Sequence, residues 1–251
     1  MKPEKPLLVD PLSRLRLSTD DLHISLDRHS HMSRLLAENL VLDEYVVILR
    51  RLLACHLEFE PVIENFRKGL ARSPDWLSPS IYQRSADLVA DLQSLGDRAS
   101  FHENKHNTRG DNEPPLEVRS QAQAAGFMYV LAGASLGARL IHRRLREQLG
   151  EQVAPALSYF SPPADAIAWT AYREALNVVL CRTEEEAAAI QGARALFSCF
   201  LRHMQIQPAH LRATESPPPI VLMSANVRVE DPEVLVRTDF AAVLHKQVDP
   251  D

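Results

Sequence analysis

The longest apolar run at helical spacing, residues 117–149, is interrupted by Gly126, Gly133 and Gly137, and that combination constrains the fold more than any other feature. A helix this long and this apolar has to cross the core. Glycine inside a helix costs about 1 kcal/mol relative to alanine. The chain has only eight glycines, about half the usual share, so those inside a helix need a compensating reason. Gly133 and Gly137 are four apart, so they share a face and leave a stripe without side chains. Ala134, Ser135 and Ala138 keep the surroundings small. A flat ligand approaching the backbone, a kink, or close helix–helix packing would each account for the stripe.

The remaining periodicity is also helical, and it predicts an all-α fold. Helices are expected at 12–36, 43–66, about 79–95, from Ser161-Pro162-Pro163 to about Leu180, and at 183–204. The last opens on a capping box formed by Thr183 and Glu186. Residues 96–115 are polar and close on Pro114-Pro115, as expected of a surface loop. After Pro208, prolines mix with short β-branched runs, so a β-ribbon or a loosely held tail is expected there. The expected organisation is one helical domain, 1–205, followed by a C-terminal extension, 206–251.

A net charge of −5 and a pI near 6.1 give no reason to expect nucleic acid as a partner. No run is expected to be long and apolar enough to cross a membrane, and Met1–Leu12 carries no continuous apolar core of a secretory signal. Cys55, Cys181 and Cys199 are odd in number and far apart in sequence. They are expected to be reduced, buried thiols of a cytoplasmic protein rather than a disulfide framework or a zinc site.

Among ten histidines, His29, His31, His102, His106, His142, His203, His210 and His245 have neighbours that suggest surface positions. His56, in the second helix, reads as a satisfied core histidine. His23, in SRLRLSTDDLHISLDRHS, lies one turn after Thr19 and one before Leu26, at the edge of an apolar face. Arg16 is two turns earlier, about 10 Å away along a continuous helix axis. An iron porphyrin, with a metal for the imidazole and propionates for the guanidinium, would suit this pair. An ordinary core histidine with a surface cation fits the spacing too. A di-iron site is a further alternative: Glu58, Glu60 and Glu64 lie near His56, but the later helices offer no paired ligand set.

The histidine helix DDLHISLD and the glycine-broken helix YVLAGASLGARLI together resemble haem oxygenases. The closest similarity is to the bacterial subgroup associated with bacteriophytochromes. Tyr129, Val130, Leu131, Gly133, Leu136 and Gly137 fit that subgroup's Y-V-L-x-G-x-x-L-G pattern, and Tyr172-Arg173 resembles its propionate-binding arginine. The resemblance implies a multi-helical bundle with a kinked distal helix, and haem held between that helix and the first. It implies O2-dependent cleavage of haem to biliverdin, CO and free iron, with electrons from a reductase or ferredoxin. A bacteriophytochrome would be the implied recipient of the product.

His23 would then be the iron ligand, and Arg16 and Arg173 the propionate partners. Tyr129, Ala134 and Phe197 would line the haem, with Gly133, Gly137 and Ser135 forming the distal catalytic side. Three positions depart from common family patterns. Ala134 stands where many members have aspartate, Ala132 where the subgroup often has glutamate, and Asp20 where a first-helix lysine is usual. A non-catalytic haem carrier or sensor on the same fold is the alternative these departures raise.

Overall fold

The computed structural model describes residues 10–96, 115–161 and 169–205. Every regular element among them is a helix, and the one β-type pairing is an isolated bridge between Ser30 and Gln205.

The N-terminal periodicity does not make one helix. α1 (Pro11–Leu17) starts on Asp10, whose carboxylate accepts the Ser13 N–H at 3.1 Å, with proline at its first position. It stops because Thr19 turns its hydroxyl back onto the carbonyls of Leu15 and Arg16, at 2.9 and 3.2 Å. The Thr19 carbonyl then receives Leu22 and His23 and opens α2 (Asp20–His29). At Ser30 the backbone becomes extended, and a 3₁₀ turn, His31–Leu36, follows. Arg16 and His23 therefore lie on separate helices, and the axial-rise relation expected between them does not hold.

α3 (Leu42–Lys68) buries Tyr45, Ile48, Leu49, Leu52, Phe59 and Ile63 on one face, as its stripe requires. The third predicted helix is two pieces, α4 (Pro79–Tyr82) and α5 (Ser85–Ser94). Between them Glu60 reaches across from α3, its Oε1 accepting the N–H groups of Arg84 and Ser85, both at 2.8 Å. It caps α5 from a neighbouring helix. His56 bridges Glu60 at 2.8 Å and the Tyr159 hydroxyl at 2.9 Å, and so is the satisfied core histidine the sequence suggests.

α6 (Gln121–Leu149) is one hydrogen-bonded helix through all three glycines, and a 3₁₀ segment, Gly150–Ala156, continues it. Against expectation, Gln121–Ala156 is long and apolar enough to cross a membrane by length and composition; 56% of its apolar window is buried inside the protein. α7 is described over Trp169–Val179, and residues 162–168 of the predicted helix lie outside the described residues. α8 (Thr183–Met204) begins one residue earlier than the expected capping box. Glu185 accepts the Arg182 N–H at 3.1 Å, while Glu186 pairs with Arg14 of α1.

α8 is the central strut, packed against α6, α3, α2 and α1. Its contact with α6 is backbone on backbone. A Cβ on Gly126 would fall 2.0 Å from the Ala189 carbonyl oxygen, and one on Gly192 2.3 Å from that of Gln123. Packing accounts for Gly126. It does not account for Gly133, where an added Cβ would meet nothing within 4 Å.

Candidate functional site

Two contacts tie the segment that carries α2 to α6. At one end Tyr129 lies beside Thr19, the residue that opens α2. At the other, Gln148 donates to the Ala37 carbonyl at 2.5 Å, and Arg144 lies 3.7 Å from Glu38. The chain from Thr19 to Ala37 therefore runs in the same sense as α6 from Tyr129 to Gln148, about 28 Å along the axis. Between these contacts the two helices pack on α8 rather than on each other. α2 and α6 are thus both seated on α8, and the candidate cleft is the space between them.

His23 stands on α2, one turn beyond Thr19, with its side chain 43% exposed. Its Nδ1 lies 3.0 Å from Asp27 Oδ2, and its ring meets Phe197 of α8 edge-on, with centroids 5.9 Å apart. Phe197 itself is buried. On α6, Gly133 is one turn beyond Tyr129 and carries the open space noted above. Gly137 follows, buried, a further turn along. Ile24 of α2 and Leu136 of α6 are apolar and each 37% exposed.

The charged groups gather at the Tyr129 end. Tyr129 is half-buried and rests on Trp169, with centroids 6.4 Å apart. Burial raises its pKa above the ordinary phenol value, against the neighbouring Thr19 side chain and the nearby Arg16 charge. The structure thus brings Arg16 to this end of the cleft even though it lies off the His23 helix. Asp20 lies near the same phenol, in the first turn of α2. Arg173 is half-buried on α7, the helix packed against α1 and α6. Its neighbour Tyr172 is fully buried and donates to the Ala125 carbonyl, a packing role rather than a cleft role.

Ala134 is exposed. Ser135, the hydroxyl nearest Gly133, donates to the Ala132 carbonyl at 2.6 Å in its own helix. Its proton is thereby engaged, and its oxygen is left to accept. Two residues that the sequence reading missed shape the site. Asp27 was legible in principle, being four residues after His23 on the same helix. Arg194 of α8 was not. It reaches the Ser18 carbonyl at 2.6 Å and grips both Asp21 oxygens at 2.8 and 3.0 Å, which fixes the α1–α2 junction and so the start of the His23 helix.

Two histidines expected at the surface are buried. His31 lies in the 3₁₀ turn, and His203 on α8 holds Glu58 Oε2 at 2.7 Å. His29 is exposed and His142 half-buried, whereas His102, His106, His210 and His245 lie outside the described residues. The three carboxylates considered for di-iron chemistry diverge: Glu58 goes to His203, Glu60 to His56 and Ser85, and Glu64 to Arg67 and Tyr82. Cys181 is exposed rather than buried, while Cys55 and Cys199, so distant in sequence, are buried side by side.

Residues 10–206 match the family model described as heme oxygenase. A relative named heme oxygenase, from Xanthomonas campestris pv. campestris, is 30% identical over 165 residues, covering 63% of this chain and 87% of its own. The crystal structures of NO- and CO-bound heme oxygenase from Neisseria meningitidis share the fold. The TM-score is 0.51 at 21% identity, over 76% of this chain and 88% of that one. The chain belongs to the haem oxygenase family.

Proposed function

We propose that this protein degrades haem to biliverdin, CO and free iron, using O2 and electrons from an external reductase or ferredoxin. One observation supports the reading: His23 and Gly133, the latter without a packing neighbour, each lie one turn beyond the point where Thr19 of the α2 start meets Tyr129 of α6. A flat macrocycle bearing iron fits that pair, because imidazole is an iron donor and the backbone at Gly133 leaves space beside it.

Haem supplies the iron that activates O2, and the protein's contribution is positional. His23 would hold the iron through Nε2, with Asp27 on Nδ1 setting the tautomer and ring orientation. Gly133 and Gly137 would let the α6 backbone approach the opposite face. Arg16 and Arg173 would pair with the propionates and so fix how the ring is turned in its plane, which decides where it is cut. With Ala134 exposed and the Ser135 proton engaged, protons would arrive through ordered water rather than from a carboxylate of this helix. The Y-V-L-x-G-x-x-L-G pattern favours the type whose product serves a bacteriophytochrome.

Titration with haemin, followed by ascorbate or a reductase, tests the reading. Loss of the Soret band with growth of biliverdin absorbance supports it. A Soret band that persists under reductant and O2 overturns it in favour of a haem carrier, which the absence of a distal carboxylate at Ala132 and Ala134 makes the competing reading.

A further inference from the structure

A second constellation lies between α3 and α8 and takes no part in the cleft chemistry. α3 contributes Cys55 and Glu58, three residues apart; α8 contributes Cys199 and His203, four apart. Each pair therefore shares one helix face, and the two faces meet. The Cys55 and Cys199 sulfurs are 3.5 Å apart. His203 Nε2 lies 2.7 Å from Glu58 Oε2, and a donor atom from each of Glu58, Cys199 and His203 falls within a 4.8 Å span. Both cysteines and His203 are buried.

We propose that these four side chains form a binding site for a thiophilic divalent cation, of which zinc is the chemical type. Two sulfurs, an imidazole and a carboxylate are a tetrahedral donor set for such an ion. With metal–sulfur bonds of about 2.3 Å, thiolates on one tetrahedral ion sit about 3.8 Å apart. The observed sulfur separation needs only a few tenths of an ångström to reach that value, while Cys55, outside the 4.8 Å cluster of the other three donors, has to turn its Sγ toward them. A disulfide, at about 2.05 Å, would require the two helices or their side chains to close by more than 1 Å.

Charge balance favours the same occupant. Two thiolates and a carboxylate exceed a divalent ion by one negative charge, and Arg202 supplies the compensating positive charge through a 2.6 Å bond to Glu58 Oε1. That bond leaves Oε2 toward His203. Arg51 donates to the His203 carbonyl at 2.8 Å and steadies the helix turn that carries the ligand. Arg202 and Arg51 are positioning residues, as outer partners of metal ligands commonly are.

Cobalt(II) is the probe, added to the full-length, haem-free, reduced protein after chelator treatment. The expected result is one equivalent bound, with a thiolate-to-cobalt charge-transfer band and the intense visible bands of tetrahedral coordination, displaced by zinc. Cys55→Ser and Cys199→Ser should each remove the charge-transfer intensity of one thiolate, and Arg202→Gln should weaken binding about 10- to 100-fold. Cys181→Ser and His23→Ala should leave the spectrum unchanged. The site is ruled out if reduced wild-type protein develops no charge-transfer band, or if the band survives intact in the Cys55→Ser, Cys199→Ser double variant. Far-UV circular dichroism on each variant separates loss of metal from loss of fold, with Glu58→Gln as the mildest change. The site stands or falls independently of the haem reading, because the probe is used without haem.

Discussion

Gly133 and Gly126 are the same residue type on the same helix, seven positions apart, yet their environments demand opposite outcomes. Gly133→Ala adds a methyl group where nothing lies within 4 Å. The haem-free protein should become more stable, by up to about 1 kcal/mol from helix propensity. Haem affinity and turnover should fall, because the cleft is narrowed. Gly126→Ala should instead lower the thermal midpoint of the haem-free protein, because its methyl group would collide with the Ala189 carbonyl. Thermal melts of the two variants, with and without haemin, check the pair. His23→Ala should abolish the optical signature of histidine-ligated haem; an unchanged spectrum would exclude His23 as the ligand. At this scale the sequence was informative where partners are local and silent where they are remote. The His23–Asp27 pair is four residues long. His203 looked like a surface histidine because its neighbours on α8 give no hint of Glu58, which the fold brings from 145 residues earlier.

The elements α3, α6 and α8 were legible because each carries a long apolar stripe at helical spacing, and the fold buries those stripes. The break between α1 and α2 was not. Ser18 and Thr19 are common on helix surfaces, and only the back-bonding of the Thr19 hydroxyl reveals the stop. The α4–α5 break hid for a similar reason, since the group that caps α5 sits on α3. That cap gives a prediction. Burial alone would raise the Glu60 pKa, but hydrogen bonds from His56 and Ser85 outweigh it and bring it below the ordinary glutamate value. A carboxylate with a depressed folded pKa stabilises above its unfolded pKa and loses that contribution as pH falls through the folded one. The protection factors of the α5 amides should therefore fall in acid, below the ordinary glutamate range. Glu60→Gln should cost about 2 kcal/mol and flatten that acid dependence, as hydrogen exchange at several pH values would show.

For the whole molecule, the family match ends at residue 206, next to the Ser30–Gln205 bridge that ties the end of α8 to the end of α2. We propose that residues 1–205 form the haem-binding domain. A chain ended after Gln205 should then keep its helicity and its haemin titration, and a truncated chain that fails to bind haemin would show that the extension completes the site. Arg194→Ala should lower haem affinity in the full chain while sparing the ring contacts, because it frees the α1–α2 junction from α8. The two contacts that tie this segment to α6 carry one more consequence. With Thr19 beside Tyr129 at one end and Ala37 bonded to Gln148 at the other, a macrocycle held between α2 and α6 would enter and leave from the side, between these two contacts. Arrival and departure would then share one route, so a fresh macrocycle would have to wait for the opened, more polar product to clear it.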